Sequence, residues 1–199
     1  VTGGTGFFGI YLVELLVQEG WKVTVRPRRS SDLTYLRRFP IALAEGSVTD
    51  RESLDRAIPE GTDVVFHVAG DTNFWSKRNA QQDAINIDGT RNMVDAAALK
   101  GVRTFIHTSS VSAWGRVKGM ITEDTPLEGK ASWINYERSK HLGELAALEG
   151  VERGMKVSPL WSYVSAIGTY HCVGDLRTKR LKPGSGWAYD SYSKANGMN

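Results

Sequence analysis

Of 199 residues only Cys172 is a cysteine, so no disulfide forms within the chain and a cysteine-ligated zinc site is excluded. The four histidines, His67, His107, His141 and His171, do not fall at ligand spacing. No apolar run approaches the roughly 18 residues of a membrane span, and no hydrophobic leader precedes Val1; a cytoplasmic protein without a membrane is the expectation. Charge of one sign is also scarce. Residues 1–150 carry 18 Lys and Arg against 19 Asp and Glu, and residues 151–199 carry 7 against 3, leaving a net +3 that belongs to the tail. A surplus this small, without an arginine-rich helix or interleaved aromatics, argues against nucleic acid as a partner. With 41% hydrophobic and 24% charged residues, the chain has enough apolar material for one buried core.

Glycine, in contrast, is plentiful, and its placement is informative. The opening VTGGTGFFGI has glycines at 3, 6 and 9, a spacing that lets a strand ending at Val1 turn sharply into a helix. Ile10, Val13, Leu16 and Val17 then recur at helical spacing until Gly20. WKVTV (21–25) alternates like a strand, a short helix is expected around Leu33 to Phe39, and a third strand at IALAEG (41–46). Thr49-Asp50-Arg51-Glu52 has the form of a capping box opening a further helix. TDVVFHVAG (62–70) is a continuous apolar run, as in a strand buried on both faces. A helix over Asp83 to Lys100, a strand at RTFIHTSS (103–110) and a helix from Tyr136 to about Glu149 complete an alternation that predicts an α/β fold with a doubly wound parallel sheet.

In such a sheet the first strand-to-helix turn is a phosphate seat. Gly3 permits the turn, Gly6 lets backbone approach a diphosphate, Gly9 allows close packing, and the helix N-terminus favours negative charge. A small-residue turn that serves packing alone would read the same, but its position after a strand and before an amphipathic helix favours a dinucleotide. After the second strand, where an acidic residue would meet the ribose 2′-hydroxyl of NAD, the chain reads VRPRRSSD. Arg26, Arg28 and Arg29 suit a 2′-phosphate instead, so NADP(H) is expected, with Arg26 as the contact and NAD as the alternative.

Tyr136-Glu-Arg-Ser-Lys140 is a pattern that chance produces often, but its position matters. The two side chains share one helix face, and that helix follows a strand ending in Thr108-Ser109-Ser110 at the cofactor edge. A tyrosine hydroxyl exchanges a proton near neutral pH only when its phenolate is stabilised, which a lysine ammonium and an oxidised nicotinamide supply. Ser110 would hold the reacting oxygen for hydride transfer. An ordinary amphipathic helix with exposed Tyr and Lys is the plainer alternative.

TGGTGFFG, HVAG (67–70), NIDGTRN (86–92), HTSSVSAWG (107–115) and YERSK (136–140), in this order, resemble the extended short-chain dehydrogenase/reductases. The dihydroflavonol-4-reductase-like branch of the NAD-dependent epimerase/dehydratase family is the nearest match. The resemblance implies a Rossmann domain over residues 1–155 and Ser110, Tyr136 and Lys140 as catalytic residues. Ser110 is preferred to Ser109 because the family's serine stands five residues before the glycine matched by Gly115. Along the cofactor it implies Gly3, Thr5, Gly6, Phe7, Phe8 and Gly9, then Arg26, Ser47, Val48, Ala69 and Gly70, with Tyr136 and Lys140. Asn86 matches an asparagine that is chiefly structural. A small-molecule substrate is implied, and a homodimer through two helices per subunit is compatible.

Two departures stand out. Gly46-Ser47 replaces the usual Gly-Asp that meets the adenine amino group, and MKVSPLWSYVSAIGTYHC (155–172) departs from the family's apolar strand, with Pro159 arriving early. Residues 156–199 therefore read as a divergent, incomplete start of a substrate-binding region, and the chain as a fragment truncated at both ends. Trp75 and Trp114 are placed either to face a substrate or simply to pack. The leading expectation is an NADP-dependent oxidoreductase interconverting a ketone and a secondary alcohol. An NAD-dependent nucleotide-sugar epimerase or dehydratase and a non-catalytic NADP-binding regulatory protein are the alternatives.

Overall fold

The structure, a computed structural model, describes residues 1–122 and 125–156. The reading of the later tail falls on residues 157–199, outside the described residues. Helix α1 (Phe7–Gln18) starts at Gly6 and is followed by strand β1 (Thr24–Val25), a 3-10 turn at Leu36–Arg38 and strand β2 (Ala42–Leu43). Helix α2 (Arg51–Ala57) precedes strand β3 (Val64–His67). A continuous helical stretch follows, built of α3 (Asn79–Asp83), a π-helical turn at Ala84–Asp88 and α4 (Gly89–Leu99). Strand β4 (Thr104–His107) and the long helix α5 (Asn135–Lys156) come last.

β1 pairs with β2 and β3 with β4, both in parallel, with Val64 opposite Thr104 and His67 opposite His107. Val1 and Thr2 join the two ladders. The Val1 ammonium donates to Thr24 O (2.8 Å), Arg26 N–H to Val1 O (2.9 Å), and Thr2 N–H to Phe66 O (3.0 Å). The order across the sheet is therefore β2, β1, Val1–Thr2, β3, β4, all parallel, the arrangement of a Rossmann fold.

One face buries Val13 and Leu16 of α1 against Val23, Val25 and Leu36. The other packs Leu54, Met93, Ala96 and Ala97 from α2 and α4 onto Val65, with Phe105 at the margin. Apolar helix stripes on both faces explain why β3 reads as a run rather than an alternation.

Three expectations shift in detail. The strands are shorter than the runs that announce them; at β3, Val68 to Gly70 leave the ladder to meet the opening turn. The cap of α2 is Asp50, whose carboxylate accepts the Ser53 N–H at 3.2 Å, while Thr49 turns to Ser47. With the cap one residue later than the capping box places it, the N–H satisfied is that of Ser53 rather than that of Glu52. The helix expected from Asp83 begins at Asn79 and carries the π-helical turn.

Candidate active site at the carboxyl edge of the sheet

All the strands run in one direction, so the segments after them gather at one edge. Those segments are the glycine turn after Thr2, Arg26 to Arg29 after β1, Gly46 to Val48 after β2, Val68 to Gly70 after β3, and Thr108 to Ser110 after β4. A cleft of ≈ 790 Å³ opens there. Gly3, Thr5, Gly6, Phe7, Phe8, Gly9, Arg26, Ser47, Val48, Ala69 and Gly70 all line it; Tyr136 and Lys140 do not.

The glycine turn has no room for side chains at two of its three positions. Gly3 has φ +68°, and a Cβ on it would lie 2.7 Å from Ala69 N. A Cβ on Gly9 would overlap Gly3 O and lie 2.7 Å from the Gly4 Cα, which is how α1 comes close to the strand end. Gly6 differs, being exposed with only Gly3 O at 3.3 Å from a Cβ, and its side faces the cleft. Gly6 caps α1 without a side-chain acceptor, so the first N–H groups of the helix are left to an outside partner. This cradle and its partial positive charge fit a dinucleotide's diphosphate.

At the β1 side Arg26 is buried beneath Gly46. One Nη donates to Ser53 Oγ at 2.6 Å, and the Nε has no hydrogen-bond partner among the described residues. Burial lowers the affinity of this guanidinium for its proton, opposed by Asp50. Arg28 and Ser31 line the cleft beside it, and Ser31 Oγ accepts the Arg28 N–H at 3.0 Å. Sequence reasoning missed Ser31, and also Arg78, which reaches the cleft from the segment before α3. Neither belongs to a spacing motif. Ser47 is engaged with Thr49 (2.8 Å), and Val48 is a packing residue wedged against Gly89.

At the β4 end the first turns of α5 meet residues 108–110. Lys140 is buried, and its Nζ donates to Thr108 O at 2.8 Å. Burial pulls the ammonium down to about 8, with Glu144 opposing the shift. Ser109 Oγ donates to the carboxylate of Glu144, also buried. Ser110 Oγ accepts the Ser112 N–H at 3.2 Å and keeps its own proton for another acceptor. Tyr136, one turn ahead of Lys140, packs its ring against Phe74 at 5.3 Å between centroids. Trp75, in the same loop as Phe74, is exposed, whereas Trp114 is buried and donates to Thr125 O at 2.9 Å, a packing role.

His67 and Asn86 connect the two ends. Thr90 Oγ1 donates to Asn86 O (2.8 Å), so it accepts from His67 Nε2 (3.1 Å); His67 Nδ1 then accepts from Thr2 Oγ1 (2.9 Å), which itself accepts the Ala69 N–H (3.2 Å). Desolvation holds His67 at about 3, and the stacked His107 also falls well below the ordinary imidazole range, chiefly through burial. The π-helical turn carries the Asn86 amide to Asp71, whose N–H it accepts at 2.7 Å, and to Ser139 Oγ on α5 at 2.9 Å. Asn86 is thus a structural link, as the resemblance implies.

Among the described residues no helix is long and apolar enough to cross a membrane, and no group of three His, Cys, Asp or Glu is placed to hold a metal ion.

Known proteins share this arrangement. Rat (Rattus norvegicus) 3 beta-hydroxysteroid dehydrogenase type 7 is 34% identical over 163 residues, covering 75% of this chain and 47% of that protein. Vestitone reductase of Medicago sativa is 33% identical over 181 residues, covering 80% and 55%. The crystal structure of a short-chain dehydrogenase/reductase superfamily protein from Agrobacterium tumefaciens with bound NAD superposes with a TM-score of 0.64 at 29% identity, covering 79% of this chain and 44% of that one. The chain spans about half the length of the curated relatives it matches. The model of the NAD dependent epimerase/dehydratase family matches residues 1–164, and with the Rossmann sheet and the glycine turn beneath that match, the chain belongs to this family.

Proposed function

We propose that the chain binds a nicotinamide dinucleotide along the carboxyl edge, with NADP(H) as the preferred form, and interconverts a ketone and a secondary alcohol. When bound, the cofactor supplies or accepts the hydride. The α1 N-terminus and Gly6 hold the diphosphate. Arg26 and Arg28 hold a 2′-phosphate, and Ala69 and Gly70 offer backbone to the middle of the molecule. Lys140 holds the nicotinamide ribose.

The reacting oxygen is held by the Ser110 hydroxyl, which keeps its proton available as a donor. The Tyr136 hydroxyl passes a proton to that oxygen during reduction and takes it back during oxidation. The buried ammonium of Lys140 stabilises the phenolate formed in between.

One observation carries this reading: Lys140, a helical turn after Tyr136, donates to Thr108 O at 2.8 Å, two residues before Ser110. That contact supports a site at the end of β4 in which Lys140 and Ser110 serve one proton transfer with Tyr136.

Fluorescence titration with NADPH and NADH tests it. Tighter binding of NADPH is expected; equal affinities remove the NADP(H) preference, and no binding of either overturns the reading. The substrate is followed by NADPH oxidation across a panel of cyclic ketones.

A further inference from the structure

Helix α5 grips the end of β4 at two successive residues. Lys140 holds the carbonyl of Thr108 from above, and Glu144, one turn further along the same helix face, holds the hydroxyl of Ser109. Ser109 and Ser110 project to opposite sides of the extended chain, which at Ser110 has φ −152° and ψ 146°. Tying Ser109 to α5 therefore fixes the side on which Ser110 stands. Lys140 and Glu144 are both buried, so each charge has lost most of its water and depends on what the protein places beside it.

We propose that Glu144 is a positioning residue for the Ser110-Tyr136-Lys140 site: its carboxylate anchors Ser109, which sets the direction of Ser110, and its charge keeps the buried Lys140 cationic at neutral pH. The role of those three residues rests on the oxidoreductase reading above; the Glu144–Lys140 coupling does not.

Two of the titratable groups that face Lys140, His67 from β3 and His107 from β4, are neutral beside it, since burial and the Lys140 charge disfavour their protonation. Glu144 is the group that favours the Lys140 charge. The 3-10 turn Val111–Trp114, which also packs on α5, has no titratable side chain. Lys130 of the Gly129–Ala131 turn is exposed. Asp83 on α3 is held by Asn135 at 2.8 Å, and Asp88, in the π-helical turn, is exposed and paired with Arg91. Asp95 on α4 is paired with Arg153.

The test is the pH dependence of Lys140 acylation by trace acetic anhydride, read by mass spectrometry on the 199-residue chain without cofactor. Glu144→Gln keeps an acceptor for Ser109 but removes the charge, and is expected to move the labelling midpoint of Lys140 down by about one pH unit. Glu144→Met, an apolar side chain of similar length, gives the same shift and replaces the glutamine variant should that one not fold. Ser109→Ala breaks the anchor and keeps the charge, so its midpoint stays at the wild-type value.

With a ketone substrate, the alkaline limb of kcat/KM should move down with the labelling midpoint in the Glu144 variants. A wild-type midpoint in a folded neutral variant overturns the proposal, and so does an equal fall in Ser109→Ala. A shifted midpoint in a chain that binds neither NADPH nor NADH would leave the coupling standing and remove the oxidoreductase reading instead.

Discussion

The two ends of the carboxyl edge are made of different material. Around Gly3, Gly6 and Gly9 the surface is backbone, shaped by what is missing from the side chains. Around Thr108 to Ser110 it is side chain, with Lys140 and Glu144 buried and hydrogen-bonded to the strand end. A site made of backbone depends on close approach and is insensitive to pH. A site made of buried ionisable groups depends on protonation, and its charges are held only while their partners stay in place.

The sharpest way to separate the ends is chemical. Tyr136→Phe should reduce ketone turnover by about 10³-fold, roughly 4 kcal/mol, while the NADPH dissociation constant stays unchanged. Loss of both together would place Tyr136 in the cofactor seat and blur the division.

At the other end the expected cost is steric. Gly9→Ala forces a methyl into Gly3 O and should cost about 3 kcal/mol in urea denaturation. Gly6→Ala, whose Cβ meets only Gly3 O, should cost less than about 1 kcal/mol yet weaken NADPH at least about tenfold. If Gly6→Ala instead binds normally, the turn is there for packing alone.

Protonation provides the next comparison. His67 and His107 stay neutral in the folded chain, whereas in the unfolded chain imidazoles take up protons below about pH 6.5. The unfolded state therefore binds more protons, and stability should fall as pH drops from about 6.5 towards 3. The slope is at most ~1.4 kcal/mol per pH unit for each imidazole. Lys140, also depressed, adds a second rise in stability between about 8 and 10.5, the window between its folded and ordinary values. Thermal melts across pH 4–10 check both windows; a flat profile would contradict the burial of these groups.

The smallest effect is expected at the rim. Arg28→Ala should weaken NADPH about tenfold and leave NADH unchanged if, as proposed, its guanidinium meets only the 2′-phosphate. Equal losses for both would place Arg28 on the diphosphate.

The glycine end was largely legible from the chain because its meaning is local: three glycines, a strand end and a helix start lie within ten residues. All the residues proposed there do line the cleft. The β4 and α5 end was legible only in part. Tyr136 and Lys140 declare a shared helix face by their spacing, but their partners do not. Nothing in HTSS shows that Thr108 offers its carbonyl to Lys140 and that Ser109 goes to Glu144 35 residues away. Ser31 and Arg78 were missed for the same reason, since they reach the cleft through the folding of loops. Arg26 does line the cleft, but nothing in VRPRR shows that its guanidinium is also buried and bonded to Ser53.

The sequence by itself determined the alternation of strand and helix, the parallel sheet that follows from it, and the glycine turn, because hydrophobic period and backbone freedom are properties of neighbouring residues. Only the tertiary structure decided which serine is tied down, how far Arg26 is buried, and that Glu144 shares a buried site with Lys140. Burial and electrostatic coupling depend on distances between residues far apart in the chain, and those distances exist only once the sheet has assembled and α5 has packed across its edge.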